Sequence, residues 1–143
     1  MTLRPIGRIR TPFATLADCP RNGHALDPAP ECVAELDPAL TAGLLDLDTF
    51  DHLILLYWLG PQPDDLQIRP PFDGRTHGVF ATRAPVRPNP IGLSVVQFLG
   101  RDGPARLRVR YLDCRDDTPL LDIKPYIART DAAPGASRGW LGP

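Results

Sequence analysis

Eighteen of the 143 residues are proline, and their spacing constrains the fold more than any other feature of the chain. A typical chain of this length carries about seven. Proline breaks helix interiors, and it removes a ladder donor from central strands. Regular elements must therefore be short and must fit between prolines. The longest proline-free stretch runs from Ala39 to Gly60. Its first half, Ala39 to Leu47, predicts a short helix after Asp37-Pro38, an aspartate cap followed by a proline suited to the first turn. Its second half, Leu53 to Leu59, is a continuous apolar run of strand length and predicts a strand buried on both faces.

The other segments predict more short strands. Leu3 to Arg10 reads as a first strand kinked at Pro5, Cys32 to Leu36 as a half-buried strand, and Gly78 to Ala81 as another short one. Ile91 to Leu99 is mostly apolar. Arg106 to Tyr111 alternates strictly, with Leu107, Val109 and Tyr111 on one face and Arg106, Arg108 and Arg110 on the other. Gly100-Arg101-Asp102-Gly103-Pro104 joins these two as a hairpin loop. A last strand, Leu120 to Ile123, stops at Pro125. Short strands separated by turn residues predict a mainly β fold: a single compact β-barrel domain with one or two short helices, spanning 1–143. The stretch 128–143, rich in Ala, Gly and Pro, is expected to form a surface tail over the barrel or on a partner chain.

Composition removes several classes of function. The net charge is -1, so the chain lacks the positive excess of a general nucleic-acid binder, and any RNA contact must come from a local patch. Neither a Walker loop nor GxGxxG is present, which excludes a dinucleotide-type Rossmann site. No apolar run approaches the roughly 18 residues of a membrane helix, and Met1 to Arg10 lacks the apolar core of a signal peptide. Cys19, Cys32 and Cys114 have no CxxC spacing and read as reduced thiols, which predicts a cytoplasmic protein with no membrane association. His24, His52 and His77 show no ligand spacing with them, and no metal is expected.

Three segments carry chemistry. In Gly78-Val-Phe-Ala-Thr-Arg-Ala-Pro-Val-Arg-Pro-Asn-Pro-Ile-Gly-Leu-Ser94, three prolines stiffen a loop between strands. Arg83, Arg87 and Asn89 project from it, as functional groups held at low entropic cost or as solvated parts of a loop that staples the barrel. In Asp116 to Tyr126, Asp122 and Lys124 sit two apart and face the same way on a strand. Such a pair suits a surface ion pair or a substrate-orienting pair in a cleft. Lys124 is the sole lysine, and Tyr126 follows a proline and is free to stack on a base. Asp51-His52 precedes the apolar strand, with either a structural or a catalytic histidine.

Together, Ile6-Gly-Arg-Ile-Arg-Thr-Pro-Phe13, Asp51-His-Leu53, Gly78-Val-Phe-Ala-Thr-Arg83, Arg87-Pro-Asn-Pro-Ile-Gly-Leu-Ser94 and Asp122-Ile-Lys-Pro-Tyr126 resemble the TrmO family, also called YaeB-like proteins. The resemblance implies a β-barrel methyltransferase that uses S-adenosylmethionine (SAM). Its implied substrate is N6 of threonylcarbamoyladenosine beside the tRNA anticodon. It also implies a homodimer with the SAM site near the interface. SAM contacts would come from Pro20, Arg21 and Asn22, from His52 and Leu53, from Arg83, from Leu93, and from the turn Asp116, Asp117, Thr118, Pro119. Asp122, Lys124, Tyr126, Arg87 and Asn89 would serve the acceptor side. The sequence departs from the family's usual pattern at Asn22, where Gln is usual, and at Asp117, where Gly is usual. It also lacks the C-terminal domain of longer members. Aspartate tolerates a left-handed backbone at some cost relative to glycine.

A urea-like N–H must lose its proton during methylation, and Asp122 or Lys124 would assist, the lysine only if burial lowers its pKa. Arg83 and Arg87 suit carboxylate or phosphate groups. The Arg106, Arg108, Arg110 stripe suits either RNA phosphates or a solvated strand face. Two alternatives stand beside the tRNA reading: methylation of a small molecule or another RNA, and a SAM-binding module without turnover.

Overall fold

Six strands close into a barrel in the computed structural model, which describes residues 1–142. They are β1 (Gly7–Arg10), β2 (Glu31–Leu36), β3 (His52–Trp58), β6 (Ile91–Arg101), β7 (Arg106–Arg110) and β8 (Thr118–Pro125). Their order around the barrel is β1-β2-β7-β6-β3-β8, every pairing is antiparallel, and β8 returns to β1. A separate two-stranded ladder pairs β4 (Gln67–Ile68) with β5 (His77–Gly78). Helical structure is limited to α1 (Ala128–Asp131) and short 3-10 turns. The expected mainly β barrel is the observed one. The expected tail, 128–143, includes Pro143, which lies outside the described residues.

The barrel interior follows from period-two burial. In β3, Leu53, Leu55 and Tyr57 are buried, while His52, Ile54, Leu56 and Trp58 are half-buried on the outer face. The run is apolar on both faces, but only one points into the barrel, which corrects the expectation of two buried faces. Inside, these residues meet Ile9, Ala34, Val96, Leu107, Val109 and Leu120. Outside, Ile54, Leu56 and Trp58 pair with Val95, Leu93 and Ile91 of β6, and those three are exposed.

Several elements differ from expectation for local reasons. β1 begins at Gly7, because Ile6 is the first residue to bond β8, through its N–H to the Leu120 carbonyl; Leu3 is exposed. Gly7 is required there, since a Cβ would lie 2.0 Å from the Glu35 carbonyl oxygen. The helix expected over 39–47 is a 3-10 helix, Pro38–Leu44, followed by an extended Leu45. Asp37 caps it as anticipated, accepting from the Ala39 N–H at 3.0 Å. Thr41 and Gly43 are weak helix formers, and a second 3-10 turn follows at Leu47–Thr49. Of the strand expected at 78–81, only Gly78 is extended; Val79–Ala81 is a 3-10 turn with Val79 buried. Tyr111 leaves the β7 alternation with φ +79° and stacks on His24.

β3 runs from one mouth of the barrel to the other, about 20 Å at strand rise. The connections 11–30, 59–90 and 111–117 all open at the mouth marked by Trp58 and Thr118. A bulge between Leu56 and Tyr57 leaves Leu121 without a partner on β3 and sets Asp122 and Lys124 opposite Leu56 and Ile54.

Gly92 ties the ladder to this mouth. A Cβ there would lie 2.1 Å from the Tyr57 ring. Gly92→Ala is expected to displace Tyr57 and cost about 1–3 kcal/mol. Urea unfolding should show a lower midpoint with an unchanged slope.

Candidate functional site

The three long connections bring most of the expected cofactor residues to one mouth. Pro20, Arg21 and Asn22 lie in 11–30, Arg83 in 59–90, and Asp116 and Asp117 in 111–117, with Thr118 and Pro119 opening β8. The first connection is pinned next to its functional tip. Gly23 packs so closely on Tyr111 that a Cβ would lie 2.0 Å from the Tyr111 carbonyl oxygen, and the His24 ring stacks on Tyr111 with centroids 4.3 Å apart. The left-handed backbone of Tyr111 is a strained conformation for a bulky residue, held by this packing. Arg21 extends over the Phe72 ring, 4.7 Å from its centroid.

The backbone around Arg83 is held by side chains. Arg87 Nη1 donates to the carbonyls of Thr82 (3.0 Å) and Ala84 (3.2 Å), one on each side of Arg83. The Trp140 indole N–H donates to the Ala81 carbonyl at 2.8 Å. Arg87 is thus engaged with the loop that carries Arg83, and Asn89 contributes its carbonyl to the Ile91 N–H at 2.7 Å. Neither residue is brought next to Asp122, Lys124 or Tyr126, which lie on β8 or just beyond it.

Between these loops sits a buried polar group that the sequence reading did not single out. The Tyr57 hydroxyl donates to Asp113 Oδ1 at 3.1 Å and lies 2.8 Å from Ser94 Oγ. Burial pushes the Asp113 carboxyl above its ordinary value, against the opposing pull of the Tyr57 hydroxyl, a backbone N–H and the Arg83 charge. Burial and the Asp113 charge push the Tyr57 phenol up as well. Cys114 is pushed up to about 12 and Cys32 to about 11, chiefly by burial, so both remain thiols. The one sequence signal for Asp113 was a carboxylate flanked by apolar Leu112 and Cys114.

The Asp116–Pro119 turn forms one wall of a cleft of about 450 Å³, whose lining also includes Leu16, Trp58, Leu59, Gly60 and Arg115. Asp117 adopts the left-handed backbone usual for glycine, at φ +64°. Its carboxylate accepts from Arg8 (3.0 Å) and Arg10 (2.7 Å), which holds the turn against β1. Asp116 accepts from the Thr11 N–H at 3.0 Å, and the buried Thr118 hydroxyl donates to the Arg115 carbonyl at 2.7 Å. A shallow depression of about 320 Å³ between Pro5 and Asp37 contains none of the expected residues.

His52, Leu53 and Tyr126 lie at the opposite mouth. His52 Nδ1 is 3.0 Å from Asp51 Oδ1, Tyr126 donates its N–H to the His52 carbonyl at 3.0 Å, and the two rings meet edge-on. Leu93 is on the outer face, paired with Leu56. Asp122 and Lys124 form an ion pair of 2.7 Å on that same outer face of β8. The expected same-face geometry is therefore present, next to apolar Ile54 and Leu56. The Arg106 and Arg108 side chains pair with Glu35 and Glu31 of β2 at 2.6 Å. The stripe is a cross-strand ion ladder, the solvated strand face of the two readings above. Among the described residues, no group of three or more His, Cys, Asp or Glu is arranged to hold a metal ion. Among the described residues, no helix is long and apolar enough to cross a membrane.

Comparison with known proteins gives the family of the chain. The family described as tRNA-methyltransferase O N-terminal domain matches residues 8–132. The chain belongs to this family. A probable S-adenosyl-L-methionine-binding protein of Archaeoglobus fulgidus is 46% identical over 140 residues, 97% of this chain and 37% of that protein. A tRNA (adenine(37)-N6)-methyltransferase of Eikenella corrodens is 47% identical over 77 residues, 51% of this chain and 44% of that enzyme. The crystal structure of TrmO from Pseudomonas aeruginosa superimposes with a TM-score of 0.80 at 37% identity, covering 99% of this chain and 61% of that one. The chain thus spans less than two thirds of each of these three relatives.

The Asp113 carboxyl sets a pH dependence. Its folded pKa is raised above the unfolded value, so the folded state holds this proton more tightly, and stability falls as pH rises through the folded pKa. Asp113→Asn removes this term. In matched denaturant titrations, the stability of the variant relative to the natural chain should rise with pH above the ordinary carboxylate range and then level off. A difference that does not change with pH would contradict the buried carboxylate.

Proposed function

We propose that this chain is a SAM-dependent methyltransferase that methylates N6 of threonylcarbamoyladenosine in tRNA. The observation that carries the reading is that the connections holding Arg21, Arg83 and the Asp116–Pro119 turn open at one mouth of the barrel. The residues fit the cofactor on two counts. A cleft of about 450 Å³ lined by apolar Leu16, Trp58 and Leu59 and by charged Arg8, Arg115 and Asp117 suits a ligand of nucleoside size. Arg83, on a backbone clamped by Arg87 and Trp140, suits its carboxylate. When bound, SAM supplies an electrophilic methyl group on a sulfonium sulfur.

The chain's own groups then supply alignment and proton handling. Asp122 is the base in reach of an acceptor on the outer face of β8. Lys124, 2.7 Å away, holds that carboxylate in place. Lys124 and Tyr126 also offer an ammonium for the threonyl carboxylate and a ring for base stacking. His52 and Leu53 border this acceptor end. A tRNA substrate puts the protein in the cytoplasm.

The expected cofactor contacts fall at two mouths, about 20 Å apart along β3, which one barrel does not bridge. A homodimer does. The exposed Ile91, Leu93 and Val95 beside Ile54, Leu56 and Trp58 form an apolar outer patch of the kind that marks an interface. A two-fold axis perpendicular to these strands would reverse their direction and bring the partner subunit's His52 toward the mouth that carries the Asp116–Pro119 turn. The position of Leu93 on this face accords with a site at the junction.

Light scattering should give twice 15.7 kDa. Val95→Glu should yield a monomer that binds SAM at least roughly tenfold more weakly; a monomer with full affinity would remove the dimer from the site. Labelled methyl should pass from SAM to tRNA carrying the threonylcarbamoyl group and not to tRNA lacking it. SAM binding with transfer to neither tRNA would reject this substrate. Asp122→Asn should lower the transfer rate by about 10²-fold or more with SAM affinity unchanged.

A further inference from the structure

Four planar groups stand in a continuous stack on the outside of the cofactor mouth. The Arg21 guanidinium lies over Phe72, 4.7 Å from its centroid. Phe72 is parallel to Trp140, with centroids 6.1 Å apart and planes inclined by 9°. Trp140 lies on His77, with centroids 3.7 Å apart and planes inclined by 20°. His77 in turn is paired with Asp73, which is also held by Arg75 at 3.1 Å. The stack joins three parts of the chain that are far apart in sequence. Arg21 belongs to the first connection, Phe72 and His77 to the second, and Trp140 to a short 3-10 turn, Gly139–Leu141, in the C-terminal tail.

Trp140 makes a second contact, through its indole N–H to the Ala81 carbonyl at 2.8 Å. Ala81 closes the turn two residues before Arg83. One side chain of the tail thereby touches both structures that present arginines to the cofactor mouth. Its ring backs the aromatic platform on which Arg21 rests, and its N–H holds the turn that leads into Arg83. Neither arginine has a carboxylate ion-pair partner within 4.0 Å among the described residues, although the Arg83 charge is felt by Asp113. The tail leaves the barrel at Pro125, beside His52, and returns to the opposite mouth to make these contacts. A tail that only covered surface would not need an aromatic stack and a backbone carbonyl partner at its end.

We infer that Trp140 is a positioning residue for the cofactor site, acting through Phe72 on Arg21 and through Ala81 on Arg83. The inference rests on the proposed SAM site and adds to it a dependence on the tail. An arginine held in its bound position loses less conformational entropy when the ligand carboxylate arrives. The effect therefore appears in cofactor affinity rather than in the stability of the barrel.

The test is calorimetric titration of the full chain with S-adenosylhomocysteine, alongside thermal unfolding of the ligand-free protein. Trp140→Ala should raise Kd roughly tenfold with little change in the unfolding midpoint. Trp140→Phe keeps a stacking ring without the N–H, and should recover part of the loss. Phe72→Ala, which breaks only the arm to Arg21, should also weaken binding. The double variant should bind no more weakly than Trp140→Ala alone, because both changes interrupt one chain of contacts. Kd values for Trp140→Ala and Phe72→Ala within about twofold of the natural chain would overturn the inference and leave the cofactor site standing. No binding by the natural chain would overturn both.

Discussion

β3 is hydrogen-bonded along both edges, to β6 and to β8, and the two mouths of the barrel hang from that double ladder. Its inward residues Leu53, Leu55 and Tyr57 fill the centre of the core, and its outward residues make the apolar outer face. The ladder also sets the separation between the two groups of functional residues. His52 is at one end of β3, Trp58 is at the other, and β8 runs antiparallel from the Asp116–Pro119 turn to Tyr126. A register slip of one residue would turn every one of these side chains to the wrong face. Gly92 and the bulge at Leu56/Tyr57 lock the register against that.

The cofactor mouth is built by restraint of loops rather than by regular structure. Prolines stiffen the 82–90 segment, but their stiffness alone does not aim Arg83. The aim comes from donors that seize the surrounding carbonyls, two bonds from Arg87 and one from Trp140. The Pro20–Asn22 loop is restrained in the same manner, by Gly23 and His24 on a strained Tyr111. Asp113 adds a half-buried carboxyl, which the hydroxyl of Tyr57 and the charge of Arg83 partly compensate. Such a group costs stability, and its shifted pKa beside Arg83 accords with a role in the site.

The outer face of β3, β6 and β8 combines apolar side chains with a single charged pair, Asp122 and Lys124. In the monomer that pair is partly exposed and worth little to stability. A second copy over the apolar patch would change its surroundings, remove water from around it and strengthen its electrostatics. The proposed dimer and the proposed acceptor chemistry are for this reason linked: the surface that would hold the copies together also carries the base.

Local pattern alone determined the fold class. Prolines limited every element to a short strand or turn, alternation in Arg106–Arg110 chose the inward side, and a spacing of two set Asp122 and Lys124 on one face. The left-handed turn at Asp117 was also legible, because its position in the motif is one where glycine is usual. The tertiary structure decided what depends on partners distant in sequence. Glu31 and Glu35 of β2 neutralise Arg106 and Arg108, so a stripe that suited phosphates is an ion ladder. Arg87 spends its guanidinium on backbone carbonyls. Asp113 is half-buried beside Tyr57, a residue 56 positions earlier. Trp140, in a tail whose composition suggested mere surface, is seated by contacts with Phe72, His77 and Ala81 some sixty residues earlier. Periodicity along a chain reports which face a residue takes; only packing between distant segments reports what that face meets.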